Sequence, residues 1–248
     1  MPISIKNIAQ LLVVFSVLTI TGTIGVFIRL ISLGYLTNFN RKYFMAWSSR
    51  MTLKLVGIKL ILPKKISLAD GPYFITFNHN SYLDIFALTA MGYTNTRFLL
   101  SEKTIKIIPF TLSALAIGVV YIPQKKQHNR RMKLFYSVEE LVKNKKVNIA
   151  GSSEGVHEHH HGIDKFNKGV YHMATICKMN IIPFFIYVPK ASNPFNKYKH
   201  FKRGTITIVR MPTINTQNWQ LKDLEINKEM VRDLYIKQFN EFNQLDKS

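Results

Sequence analysis

Apolar positions along this chain fall into two kinds of block: short β-branched or aromatic runs bounded by turn residues, and longer stretches at helical spacing. Between Lys6 and Arg29 there is no charge, and Leu11 to Ile28 is almost wholly apolar, about the length that crosses a bilayer core. Thr19, Thr21, Gly22, Thr23 and Gly25 give that segment a polar middle, so a shallow, re-entrant or hairpin insertion stays open beside a spanning helix. From Asn40 to Val56, Phe44, Trp47, Met51 and Leu55 recur at helical spacing among Arg41, Lys42, Arg50 and Lys54, a pattern suited to an anionic headgroup layer. An ordinary surface helix packed on the core has the same periodicity. Thereafter strands and helices alternate. Strands are predicted at Lys59–Leu62, Tyr73–Phe77, Arg97–Leu100, Val119–Ile122, Val147–Ala150, Ile181–Val188 and Thr205–Arg210. Helices are predicted at Leu83–Met91, Thr104–Ile117, Asn129–Asn144 and Gly169–Met179, with a last one, capped by Asp223, running through Leu245. This order predicts an α/β fold: a mostly parallel central sheet flanked by helices, with an N-terminal membrane-associated helical segment.

Length and charge sharpen the picture. A chain of 248 residues suits one large domain, divided here into a membrane-embedded and basic amphipathic segment, 1–56, and an α/β part, 57–248. The formal net charge of +20 implies an anionic partner. No acidic residue precedes Asp70, and no nucleic-acid recognition motif is present, so an anionic membrane surface explains the charge better than nucleic acid does. A signal peptide is disfavoured by a poor basic n-region and the lack of an A-x-A-like site. The heavier Lys/Arg load after the apolar segment places the remainder on the cytoplasmic face, at the inner membrane if the source is bacterial. The single cysteine, Cys177, excludes a disulfide framework and a thiolate metal cluster.

The chemistry concentrates at Phe77-Asn78-His79-Asn80-Ser81-Tyr82-Leu83-Asp84. His79 follows a strand and precedes a helix, and Asp84 lies five residues on, near enough to fold back on the imidazole. A carboxylate on one ring nitrogen fixes the tautomer and leaves the other as a base; a capped helix with a satisfied histidine reads the same way. Further clusters follow other strands: Gly118 to Gln124 with Lys125 and Lys126, Gly151 to His157, then Phe166-Asn167-Lys168-Gly169, and Ile182-Pro183 in the next strand.

In this order the blocks resemble the 1-acyl-glycerol-3-phosphate acyltransferase family over roughly 73–214. Asn78, His79 and Asp84 match its N-H-x-x-x-x-D block. Gly118 through Gln124 correspond to G-x-x-F-I-x-R, and Ser152 through His157 to F-P-E-G-T-R, of which Glu154 and Gly155 are retained. Phe166, Lys168 and Gly169 match F-K-K-G. The resemblance implies transfer of a fatty acyl group from acyl-CoA or acyl carrier protein to a lysophospholipid hydroxyl, without cofactor or metal. His79 is then the base and Asp84 its orienter; Asn78, Gly118, Gln124, Lys125, Glu154, Gly155, His157, Lys168 and Gly169 bind substrate. Lysophosphatidic acid is the leading acceptor. Gln124 and His157 fill the slots of two family arginines, however, and neither reproduces a bidentate fork on phosphate. Another lyso-lipid, including a lyso-aminolipid, is therefore an alternative acceptor.

Two rival chemistries share one loop. Gly151-Ser152-Ser153-Glu154-Gly155 fits G-x-S-x-G, which as a serine esterase would require a helix directly after Ser153. His157-Glu158-His159-His160-His161 contains H-E-x-x-H, a zinc pattern that requires one helix face, and Gly155 and Gly162 bracket it closely.

Overall fold

A computed structural model describes residues 5–68, 70–79, 81–124, 126–155, 162–192 and 203–245. Helix α1 (Ile5–Ile31) is followed by a short α2 (Thr37–Phe39) and a π-helical stretch, Asn40–Phe44, that runs into α3 (Met45–Leu55). Then come β1 (Ile58–Ile61), β2 (Tyr73–Phe77), α4 (Asp84–Ala90), β3 (Thr96–Ser101), α5 (Ile108–Ile117) and β4 (Val120–Ile122). The chain continues through α6 (His128–Lys145), β5 (Asn148–Ser152), α7 (Lys168–Ile176), β6 (Asn180–Tyr187), β7 (Gly204–Arg210) and α8 (Leu224–Leu245).

The strands form one sheet in the order β1-β7-β6-β2-β5-β3-β4. β6, β2, β5, β3 and β4 are mutually parallel; β7 pairs with β6 antiparallel and carries β1 parallel to itself at the edge. Central strands buried on both faces read as continuous apolar runs, as β6 does. Ile182, Phe184 and Ile186 of β6 join Leu53, Ile75, Phe77, Phe86 and Leu88 on one side. Ile181, Phe185 and Tyr187 join Val138, Val170, Tyr171, Val231 and Tyr235 on the other. One layer is thus α1, α3, α4 and α5; the opposite layer is α6, α7 and α8.

The helix read over Thr104–Ile117 is interrupted. A 3-10 turn, Glu102–Lys106, ends at Ile107 in an extended conformation, and α5 starts beyond it with a proline in its first turn, where the missing N–H costs nothing. The polar middle of the N-terminal segment also has a structural reason. A Cβ added at Gly22 would stand 2.8 Å from Leu112 Cβ, and one at Gly25 2.7 Å from Ala116 Cβ. The glycines therefore let α1 lie against α5, and α1 is one continuous helix rather than a hairpin. Phe110 meets Phe15 and Phe86, so this part of α5 is packing surface. On α3 the stripe Trp47, Met51 and Leu55 is exposed, while Met45, Ala46, Ser48, Ser49, Thr52 and Leu53 are buried. The apolar stripe therefore faces out, and the core contact is made by a different, more polar face.

Candidate active site

In a parallel sheet, sites form outside the carboxyl ends of the strands. β2 delivers His79 to that end. Its Nδ1 lies 3.1 Å from Asp84 Oδ2, and the same oxygen accepts the Ser81 N–H at 3.0 Å. Leu83 N–H donates to Ser81 Oγ at 3.2 Å, so the turn before α4 is tied down at both ends. Asp84 is fully buried, whereas the imidazole is partly exposed. With Nδ1 turned to the carboxylate, Nε2 is the ring nitrogen that can act as a base.

Asn78, expected from the sequence to bind substrate, has its amide engaged by the backbone of β6. It is fully buried; its Nδ2 donates to Ile186 O at 2.9 Å, and its Oδ1 accepts Ile186 N–H at 2.7 Å. The amide thus stitches β2 to β6 immediately before the histidine.

Register brings Glu154 in. β2 pairs β5 with Phe77 opposite Ser152, and Ser153 N–H extends the ladder to Phe77 O at 2.9 Å. The residue after Ser153 therefore emerges beside His79, whose backbone N–H donates to Glu154 Oε2 at 2.9 Å. Asp164 N–H donates to Oε1 at 3.3 Å. Ser152 Oγ accepts the N–H groups of Glu154 and Gly155. Gly155 sits at φ +76 with Asn167 Nδ2 against it, a place where a side chain is strained and obstructed at once. Asn167 completes the loop through its amide to Glu154 O.

Burial dominates the Glu154 carboxyl, raising its pKa from 4.5 to about 7 against the opposing pull of the His79 N–H. The folded state then keeps a proton between pH 4.5 and 7 that the unfolded chain has released, so this group makes stability fall as pH rises through that window. Glu154→Gln lacks the slope. The stability of wild type relative to Glu154→Gln, from urea unfolding, is expected to be lower at pH 8 than at pH 5; parallel pH profiles would refute the assignment.

Ser153 is not an esterase nucleophile in this geometry. It is fully buried, its Oγ accepts the Tyr171 hydroxyl at 2.9 Å, and among the described residues the next helix begins at Lys168. The H-E-x-x-H run lies outside the described residues, as do His157 and Lys125.

The other substrate-binding expectations divide. Gly118 lies before β4, at the opposite end of the sheet from His79, so it is removed from the site. Gln124 is at the correct end but engaged: its N–H donates to Glu102 Oε1 at 3.1 Å and its Nε2 to Ser101 Oγ at 3.3 Å. Three strand spacings, about 14 Å, separate its strand from β2. Lys168 is exposed and pairs with Glu225 of α8, Nζ to Oε2 2.8 Å. Gly169 sits in α7 against Phe135 and Arg131.

Arg131 was not singled out by the sequence. It reaches from α6 toward Pro123 O at 3.4 Å, lies over the Phe135 ring and approaches Gly169. Its neighbour Arg130 pairs with Glu102 at 3.3 Å; among the described residues Arg131 has no carboxylate partner. Two arginines in the first turn of a helix oppose its dipole, and that was the available signal.

Residues 58–187 match the sequence model of the family described as acyltransferase. The chain is 28% identical over 186 residues to the 1-acyl-sn-glycerol-3-phosphate acyltransferase of Saccharomyces cerevisiae, covering 72% of this chain and 59% of that one. It is 25% identical over 175 residues to acl-2 of Caenorhabditis elegans, a protein named for the same activity, covering 69% of this chain and 61% of that one. The chain thus spans about three-fifths of the length of these curated relatives. The crystal structure of the 1-acyl-sn-glycerophosphate (LPA) acyltransferase PlsC from Thermotoga maritima superposes with a TM-score of 0.67 over 96% of this chain and 98% of that one. At 15% identity this is a likeness of fold.

Proposed function

The chain belongs to the acyltransferase family, and from that premise we propose that it moves a fatty acyl group from acyl-CoA or acyl carrier protein to the free hydroxyl of a lysophospholipid. Lysophosphatidate is the leading acceptor and phosphatidate the product. The observation that carries this reading is the His79 Nδ1 to Asp84 Oδ2 pair at a strand end, with Nε2 left as the base. An alcohol is a weak nucleophile at neutral pH, so the proton must leave as the new bond forms. Nε2 takes the hydroxyl proton as the oxygen attacks the thioester carbonyl. Asp84 stabilises the imidazolium. The tetrahedral intermediate then collapses, the carbon–sulfur bond breaks, and the leaving sulfur takes the proton from Nε2, releasing the free thiol and restoring the base. Every atom is accounted for without an acyl-enzyme or a metal.

Arg131 is the cation we assign to the acceptor phosphate in place of the residues at 124 and 168. It stands between the end of β4 and the start of α7, and a guanidinium suits a phosphate dianion. Because Gln124 occupies the slot where the family carries an arginine, another lyso-lipid stays the second reading. The exposed apolar surface of α1 and α3 supports membrane attachment through 1–56, with 57–248 as the catalytic part on the cytoplasmic face.

Detergent-purified protein would be offered acyl-CoA and acyl carrier protein donors with lysophosphatidate and a panel of other lysophospholipids. Transfer to lysophosphatidate at least about tenfold faster than to the others is expected. Preference for a different acceptor moves the substrate but keeps the reaction; no product with any pair overturns the proposal. Ser153→Ala is expected to retain transfer within a few-fold. Abolished activity in a folded Ser153→Ala protein would restore the esterase reading.

A further inference from the structure

At the end of the sheet away from His79, three arginines from three separate elements converge on one glycine. Gly118 follows α5 with φ +67, and a Cβ built on it would stand 3.1 Å from Arg97 Nη1, 3.3 Å from Arg41 Nη2 and 3.5 Å from Arg29 Cζ. Any side chain there would fill the space the three guanidinium groups face. Part of the arrangement caps α5: Arg29 Nη1 donates to Leu115 O, Arg41 Nε to Ile117 O at 2.8 Å, and Asn40 Nδ2 to Ala116 O at 3.0 Å. A helix C-terminus attracts positive charge, but about half an elementary charge does not balance three cations.

Two of the remaining arms have no acceptor among the described residues. Arg41 is only 4% exposed; its Nη1 donates to Asn38 Oδ1 at 2.7 Å, yet its Nη2 is buried with no acceptor, and so is Arg97 Nη1. Among the described residues no carboxylate pairs with Arg29, Arg41 or Arg97. Arg97 lies below its ordinary pKa, first from burial and then from the charge of Arg29. Buried donors on a charged group without acceptors are costly, and one compact anion with several oxygens would relieve all of these conditions together. A phosphate group meets that description, and arginine forks suit it. The surroundings indicate what carries the phosphate. Phe27, Leu30, Leu33, Tyr35 and Tyr43, close to Arg29 or Arg41 along the chain, are exposed, Tyr35 at 89%, an aliphatic and tyrosine-bearing set of the kind found at a membrane interface.

We propose that Arg29, Arg41 and Arg97 form a phosphate-binding site around Gly118, distinct from the acyl-transfer site, that takes the headgroup phosphate of an anionic phospholipid. The lipid source rests on the reading that α1 lies in a membrane; the phosphate chemistry does not.

Thermal unfolding of the full chain in detergent tests it, with inorganic phosphate, a short-chain phosphatidylglycerol and a short-chain phosphatidylcholine as probes. A ligand that binds only the folded state raises Tm with concentration. Phosphatidylglycerol is expected to raise it more than phosphatidylcholine does, and Arg97→Gln and Arg29→Gln are each expected to weaken the apparent affinity about tenfold or more. Response to phosphate as well supports a site for the phosphate group itself, whereas response to phosphatidylglycerol alone supports a headgroup site. His79→Ala should leave the shift intact, which separates this site from the catalytic reading. No Tm rise with any probe overturns the proposal, as does a rise undiminished in both arginine variants. Arg97→Gln without ligand is expected to unfold no earlier than wild type, because it removes an unpaired buried donor. If Arg97→Gln does not fold, the more exposed Arg29→Gln decides.

Discussion

Replacing His79 by alanine is expected to slow acyl transfer by about 10²- to 10⁴-fold, the range for a lost general base, with the fold retained. The side chain is partly exposed and contacts Asp84, while the backbone N–H that holds Glu154 survives the substitution. Steady-state rates with the preferred donor and acceptor, beside circular dichroism, check both halves. KM for the acceptor should change little, because the base acts on the reacting oxygen and not on the headgroup. A folded His79→Ala protein with more than about a tenth of wild-type turnover would remove the histidine from the mechanism.

Asp84→Ala is expected to cost about 10²- to 10³-fold in turnover, and also about 1–3 kcal/mol of stability, since Ser81 N–H loses a buried acceptor. Asp84→Asn separates the two effects: an amide oxygen still accepts a hydrogen bond but supplies no charge to the imidazolium. Its stability should lie nearer wild type while turnover stays low. Because the two residues act as one unit, the His79→Ala, Asp84→Ala double variant should be about as slow as His79→Ala alone. Multiplied losses in the double variant, or full turnover in folded Asp84→Asn, would show that the carboxylate serves only the fold.

Both predictions start from residues five apart, which is why the sequence exposed them. A strand end, a turn and a helix start are set by neighbours, and H-x-x-x-x-D closes within that local geometry. The apolar stripe on α3 was legible for the same reason, since helical periodicity alone defines a face. What occupies each face was less legible: the core-facing side of α3 is rich in Ser and Thr, a composition that points outward on sequence alone.

Lys168 illustrates the limit. Its match to a family block suggested a substrate-binding residue; its carboxylate partner, Glu225, comes from α8, and no spacing rule connects the two. Arg131 is the reverse case, unremarkable as half of a basic pair and notable once β4 and α7 are seen on either side of it. Gly118 belongs to a recognisable block, yet the parallel direction of β4 puts it at the far end of the sheet from His79.

The amino-acid sequence by itself determined the α/β alternation, the apolar N-terminal helix, the positive charge and the histidine–aspartate pair, all of which rest on short-range periodicity and composition. Only the tertiary structure decided that Asn78 is consumed by Ile186, that Glu154 is buried against the His79 N–H, and that Arg29, Arg41 and Arg97 meet at Gly118. Those contacts join residues far apart in the chain, and strand order and register bring them together. Many strand orders satisfy the same alternation of apolar runs, and the one adopted is selected by how all the buried faces pack at once.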